Sequence, residues 1–265
     1  MSAELHISDS GRYLSGQLPV LHGFTTRAGG ASADAFHSLN LGLSSGDDER
    51  LVERNRVALL AELGFEPAQV CAFHQVHGDR VLQGAPSWFS EKADAAVTED
   101  PATLLVVSVA DCLPVLLHDP VTGAVGAAHC GWRGTVAGLA ASVVQRMRSD
   151  FGSQPGDLRV LFGPGVAGAC YQVGSEVVER FAAAGFPDEV AWADGSAGKY
   201  RLDIKAANRF SLEQAGVPTA NIVDPELCTH CQPERFYSYR RDGGVTGRHW
   251  AFISPAPRAK GNGEP

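Results

Sequence analysis

Three short apolar runs in mid-chain constrain the fold most: TLLVVSVA (103–110), PVLLH (114–118) and AVGAAH (124–129). Each has the length of a strand, and DPVTG (119–123) supplies a turn between the second and third. Helical patterns surround them. In GDDERLVERNRVALLAELG (46–64), acidic residues open the segment and Gly64 closes it. Leu51, Val52, Val57, Leu59, Leu60 and Leu63 recur there at helical spacing. Further helices are expected over TVAGLAASVVQRMRSDFG (135–152), SEVVERFAAAG (175–185) and LDIKAANRFSLEQAG (202–216), and further strands over LRVLF (158–162) and HWAFIS (249–254). Strands and helices alternate without a strict βαβ rhythm, and the central strands can pair as hairpins. The pattern predicts the α/β class, a mixed-sheet α/β sandwich with α-β-β-α layers, as a single domain. Its expected bounds are 19–254, with an N-terminal extension over 1–18 and a disordered tail, PAPRAKGNGEP, over 255–265.

Composition narrows the function classes. With 44% hydrophobic and 20% charged residues, the 265-residue chain reads as an ordinary globular protein with a substantial core. A formal net charge of −8 argues against a sequence-independent nucleic-acid binder, which needs a basic footprint. It leaves small anionic substrates open, since a few arginines suffice for those. The N-terminal residues lack the basic and apolar regions of a secretory signal, and no stretch approaches the ~20 apolar residues of a membrane span. Six cysteines are too sparse for a disulfide scaffold, so they read as reduced thiols, metal ligands or nucleophiles in a cytoplasm.

The chemistry concentrates in HQVHG (74–78), ADC (110–112) and HCGWRG (129–134). Cys112 follows a predicted strand, and His129 ends the return arm of the predicted hairpin. One thiolate and two imidazoles fill three corners of a tetrahedral zinc site and leave the fourth for water or substrate. The same residues also read as a cysteine nucleophile with a histidine base. HQVHG offers His74 and His77, which point to different sides of an extended segment, and the pattern does not say which one joins the site. Arg133 and Trp132 of GWRG, Arg27 of TTRAGG (25–30), and Arg240 and Arg241 of SYRRDGG (238–244) form a candidate anion-binding wall. Two motifs read as decoys. GPGVAG (163–168) fits a dinucleotide fingerprint but no helix opens on its last glycine. CTHC (228–231) has no second pair to complete a structural zinc site; it reads first as two ordinary cysteines, with a redox pair or extra thiols near the metal as alternatives.

Taken in order, TTRAGG, SLNLG (38–42), QVHG, ADCLPVL, HCGWRG, GPGV, YQVG, CT and YSYRRDGGVTGRHW resemble the YfiH/YlmD family, the laccase-domain or "polyphenol oxidase" proteins regarded as purine nucleoside phosphorylases. The resemblance spans roughly residues 19–254. It implies one catalytic Zn2+ held by His77, Cys112 and His129. It also implies phosphorolysis of adenosine, inosine, guanosine and methylthioadenosine, together with adenosine deamination, with purine nucleosides and phosphate as partners. A peptidoglycan-editing role is attached to bacterial members, and a related toxin fold uses a Cys–His pair, so a metal-free amidase is the alternative. A non-catalytic binding protein is the third reading. Two positions depart from the family pattern: Cys130 stands where alanine is usual, and Gln172 where glutamate is usual, which predicts weaker deamination.

On this reading Asp111 is the nearest proton shuttle, or a partner that orients a ligand histidine. Arg27, Arg133, Arg240 and Arg241 place phosphate, and Trp132 or Phe24 stacks on the purine. A four-copper oxidase needs a histidine-rich trinuclear centre. The chain has nine histidines, no H-x-H or H-C-H, and one credible cluster in the sequence. Copper in an N/S site is then an adventitious or alternative metal, as the Irving–Williams order predicts.

Overall fold

The computed structural model describes residues 4–16 and 18–257. Strands β1 (His6–Ile7), β2 (Tyr13–Ser15) and β3 (Val20–Thr25) precede helix α1 (Glu49–Leu63). Next come β4 (Val70–His74), β5 (Val81–Gln83), β6 (Ser87–Lys92) and β7 (Ala95–Thr98). The three apolar runs form β8 (Leu104–Val109), β9 (Leu113–His118) and β10 (Val125–Cys130). They are followed by α2 (Trp132–Val136), α3 (Leu139–Phe151), β11 (Arg159–Phe162), β12 (Gln172–Gly174) and α4 (Ser175–Ala183). The chain closes with β13 (Ala191–Ala193), β14 (Lys199–Leu202), α5 (Ile204–Gln214), β15 (Ile222–Val223) and β16 (His249–Pro257).

Two mixed sheets stack face to face. One has the order β1-β2-β3-β16-β8-β4-β6, the other β15-β11-β9-β10-β7-β5, and β12-β14-β13 form a small third sheet. Between the large sheets, Phe24, Leu105, Val107 and Ile253 meet Leu116, Val125, Ala127 and Leu161. Helix α1 covers the first sheet with Leu59, Leu60 and Leu63, against Val106 and Trp250. Helices α3 and α5 cover the second, with Val143, Met147 and Leu212 against Val115, Leu117 and Val160. The result is the α-β-β-α sandwich. Apolar area removed from water on both faces of each sheet, at roughly 25 cal/mol per Å2, drives this stacking.

The hairpin pairing holds for β9 and β10, whose register places Pro114 opposite His129. It fails for β8, which pairs with β16 and β4 in the other sheet. The chain therefore changes sheets at Ala110–Cys112, and Asp111 makes the corner at a φ of 89°. A non-glycine residue held there is strained, and such residues cluster at functional sites.

The expected N-terminal extension contributes β1 and β2 to the first sheet, β1 antiparallel to β2 and β2 antiparallel to β3. The last strand runs past residue 254 to Pro257, and the rest of the expected tail lies outside the described residues. Helix α1 matches its sequence signals: Asp48 accepts the N–H of Arg50, and Gly64 ends the helix at a φ of 74°. The single helix expected over 135–152 is two. It starts earlier, at Trp132, and breaks at Gly138, whose φ of 82° suits glycine alone. Among the described residues no helix is long and apolar enough to cross a membrane.

Candidate metal centre and active-site cavity

Three turns deliver the ligands. His77 sits beyond β4, Cys112 at the sheet-to-sheet corner, and His129 near the end of β10. One ligand atom from each lies within 4.8 Å of the others. The imidazoles of His77 and His129 meet edge to face, 4.8 Å between centroids. Beneath them the chain must be bare: a Cβ on Gly131 would stand 2.8 Å from His77 Cδ2 and 3.1 Å from Cys112 Sγ. One sulfur and two nitrogens, with a cavity on the open side, fit a single zinc with three protein ligands. His74 is not in this group; its ring lies 5.4 Å from that of Phe89.

A residue that sequence reasoning missed, Asp94, holds the group together. Fully buried between β6 and β7, it accepts from His129 Nδ1 at 2.9 Å, and from the backbone N–H groups of Val76, His77 and Gly78 at 3.1, 2.9 and 2.6 Å. One carboxylate thus fixes the HQVHG turn and the ring of His129. Burial opposes its ionised form, yet the bonds from His129 and Gly78 prevail and hold it below the usual carboxylate range. With Nδ1 donating to Asp94, Nε2 of His129 carries the lone pair that a metal takes. Gln75 pins the same turn to β8 by bonding both the N–H and C=O of Ser108. A lone acidic residue before the buried strand AAVT was the available signal in the sequence.

Burial would raise the Cys112 thiol. The charge of His129, with hydrogen bonds from His129 and His77, outweighs it and brings the thiol down to about 6. His129 moves oppositely: burial is overcome by the Cys112 charge and the Asp94 bond, and its pKa rises to about 9. The chain therefore stabilises a thiolate, the form that binds metal and attacks carbon.

The group opens into a cavity of about 720 Å3. Arg56, Arg133, Arg240 and Arg248 line it, with Trp88, Trp132, Tyr171 and Tyr239 among its aromatic walls. Arg133 is exposed, has its guanidinium 4.4 Å from the Trp132 ring centroid, and its side chain makes no hydrogen bond or ion pair within the described residues. Arg240 gives one donor to the carbonyl of Gln172 and lies 5.2 Å from the Tyr171 ring. Arg56 and Arg248 were not expected. Arg56 is buried against Trp88 and Trp250, its donors partly spent on the Leu41 carbonyl.

Of the arginines expected in the candidate anion-binding wall, Arg133 and Arg240 line the cavity and Arg27 and Arg241 do not. Arg27 lies at a separate hollow, where it donates to the carbonyls of His37 and Pro233. Arg241 is spent on the carbonyls of Thr229 and Phe236 and on Asp242. Phe24 is buried between the sheets, packed so closely under Gly163 that a Cβ there would come within 2.4 Å of its ring. Asp111 lines the cavity, but its oxygens accept from Thr229 Oγ1 at 2.5 Å and from the Arg240 N–H at 2.7 Å. That bonding positions the Arg240 turn. The partner orienting His129 is Asp94, not Asp111. Cys130 faces the opposite side of β10 from His129, into the helix-covered core, and its thiol is pushed up by burial. Gln172 bonds Asp194 rather than lining the cavity, so its exchange for glutamate bears on the small third sheet and not directly on the site. GPGVAG follows β11, and its last glycine opens only a three-residue 3-10 turn, with no α-helix before Ser175, so the dinucleotide reading falls. Finally, a second group appears, Cys170 with His230 and Cys231, which the sequence did not reveal.

An α/β sandwich with a candidate N/S metal site at the floor of an arginine-lined cavity is the class that fold and site define. Residues 21–256 match the family model described as multi-copper polyphenol oxidoreductase laccase. A purine nucleoside phosphorylase from Deinococcus radiodurans is 44% identical over 92% of each chain. An adenosine deaminase, RL5, from an unidentified prokaryote is 34% identical over 86% of this chain and 91% of its own. The crystal structure of YfiH from Bacillus licheniformis superposes with a TM-score of 0.90 at 34% identity, covering 94% of this chain and 98% of that one. The chain belongs to this laccase-domain family, whose members include the YfiH and YlmD proteins. The multi-copper centre in the family's description does not fit these residues. Among the described residues, the two His/Cys/Asp/Glu groups hold two histidines and one, too few for a trinuclear copper centre.

Proposed function

We propose that this enzyme is a zinc-dependent purine nucleoside phosphorylase of the cytoplasm, acting on adenosine, inosine, guanosine and methylthioadenosine, with adenosine deamination as a second activity of the same cavity. The observation that carries the reading is one continuous cavity with a Cys–His–His group at its floor and arginines on its walls. Its volume suits a nucleoside with a phosphate beside it. The names of the relatives from Deinococcus radiodurans and of RL5 supply the two reactions.

In phosphorolysis a phosphate oxygen forms a bond to C1′ while the bond from C1′ to the purine breaks. The electron pair leaves with the base, which takes a proton, and ribose 1-phosphate remains. The protein binds phosphate with Arg133, Arg240 and Arg248, of which Arg133 has all its donors free. Asp111 and Thr229 set the backbone from which Arg240 projects. Asp94 keeps His129 in one tautomer and His77 in place. Zinc held by His77, Cys112 and His129 would supply a Lewis acid that stabilises negative charge developing on the purine. Trp132 and Tyr171 offer flat faces for the base.

The lowered Cys112 pKa beside a protonated His129 favours a second reading, a Cys112–His129 amidase acting on peptidoglycan precursors. Incubation of adenosine with and without phosphate separates the readings. The phosphorylase gives adenine and ribose 1-phosphate only with phosphate, and the deaminase activity gives inosine without it. Neither product from metal-loaded protein, with rapid iodoacetamide labelling of Cys112 that chelators leave unchanged, would establish the amidase instead.

A further inference from the structure

Away from the cavity floor the fold gathers three more thiols and a histidine from two distant turns. Cys170 ends the short turn that follows GPGVAG, and its sulfur lies 3.2 Å from that of Cys231. The His230 ring completes a group whose ligand atoms all lie within 4.8 Å of one another. Cys228 lies outside that 4.8 Å group but stands beside its two sulfurs. It is bridged to Gly165, accepts the Ala167 N–H at 3.3 Å, and lies within electrostatic reach of both other sulfurs. All are free thiols. The His230 ring has no hydrogen-bond partner among the described residues, and Cys231 is exposed.

The separation of the Cys170 and Cys231 sulfurs is too long for a disulfide bond, which measures about 2.05 Å. It is somewhat shorter than the about 3.8 Å that two thiolates reach on one tetrahedral zinc, a gap that rotamer relaxation of surface side chains covers. The spacing C-x-x-C is that of structural zinc sites, and the remaining two corners come from an adjacent histidine and a cysteine of another turn. Sequence counting misses the set because Cys170 is 61 residues from Cys231.

We propose that Cys170, Cys228, His230 and Cys231 form a closed, structural zinc site, separate from the cavity metal and independent of the reaction assigned to it. Each thiol gives its proton to solvent on binding, and the ion ties the 163–171 loop to the 228–231 turn. Both segments shape the cavity. Tyr171, next to Cys170, lines its wall. Thr229, between two of the ligands, donates to Asp111, and Arg241 Nη1 donates to the carbonyl of Thr229. Zinc there holds the arginine turn against the metal loop.

The test is zinc content by native mass spectrometry of untagged protein purified under reducing conditions, beside melting temperature. Two zinc ions are expected in the wild type, one in Cys112→Ser, and one in the double variant Cys170→Ser/Cys231→Ser. Cobalt-loaded Cys112→Ser should show thiolate charge-transfer absorption and the d–d bands of tetrahedral coordination, both reduced or lost in Cys112→Ser/Cys170→Ser/Cys231→Ser. Should the double variant fail to fold, the zinc content of Cys112→Ser decides alone. Folded Cys112→Ser with no bound zinc, or a Cys170–Cys231 disulfide that takes up no zinc after reduction, would overturn the proposal.

Discussion

The two N/S clusters of this molecule use the same ligand types under opposite constraints. At the cavity floor, His129 is fixed by a fully buried carboxylate, the His77 backbone is bonded to the same group, and Gly131 leaves room beneath. The Cys170 group has more sulfur, lies partly exposed, and its histidine ring is held by nothing else in the described chain. A site that must present an open position to substrate needs its three ligands held from behind. A site closed by four ligands is held by the ion itself. On the proposed reading, the cluster held from behind reacts and the self-held one staples.

The largest effects should follow removal of a cavity ligand. Cys112→Ser or His129→Ala should abolish phosphorolysis and remove one zinc, while the Cys170 cluster keeps its own; activity assays beside metal analysis check this. Next, Asp94→Asn should weaken zinc at the cavity floor by about 10–100-fold, as loss of a carboxylate behind a ligand histidine does. Competition with a chelator should register that loss at one site only. Equal weakening at both clusters would break the comparison. Gly131→Ala should act similarly with Asp94 intact, since its Cβ displaces His77 or Cys112. Arg133→Ala should raise the KM for phosphate by about 10–100-fold, the worth of one or two charge-assisted hydrogen bonds, and leave zinc content unchanged.

How much of this was legible in the sequence depended on distance along the chain. The helix over 49–63 announced itself through Asp48 and Gly64, because capping is local. Cys112 and His129 were legible through motifs, and His77 rather than His74 only through the family resemblance. The division of β8 and β9 between sheets was not, since pairing depends on partners as remote as β16. Asp94 was missed because one aspartate before an apolar strand looks like any loop residue until the fold buries it. Arg27 and Arg241 were expected at the cavity for a related reason. Which of several glycine-flanked arginines faces a cavity is decided by the carbonyls that claim the others, as His37 and Pro233 claim Arg27. Cys170 escaped because its partners lie on another turn.

The smallest effect concerns the scaffold that carries the arginine turn. His249 is buried, accepts the Tyr237 N–H at Nε2, and is pushed down to about 3, first by burial and then by the charge of Arg27. Its unfolded pKa is about 6.5. Below that value the unfolded chain gains a proton that the folded chain refuses, so stability falls as pH drops from about 6.5 toward 3, at up to about 1.4 kcal/mol per pH unit. Denaturant titrations should show a shallower acid slope in His249→Gln.

The most direct test of the central claim is zinc titration of metal-free Cys170→Ser/Cys231→Ser protein, following phosphate-dependent release of adenine from adenosine. The account predicts activity that rises from background to a plateau at one equivalent of zinc. Full activity before any zinc is added, abolished by alkylation of Cys112, would contradict it.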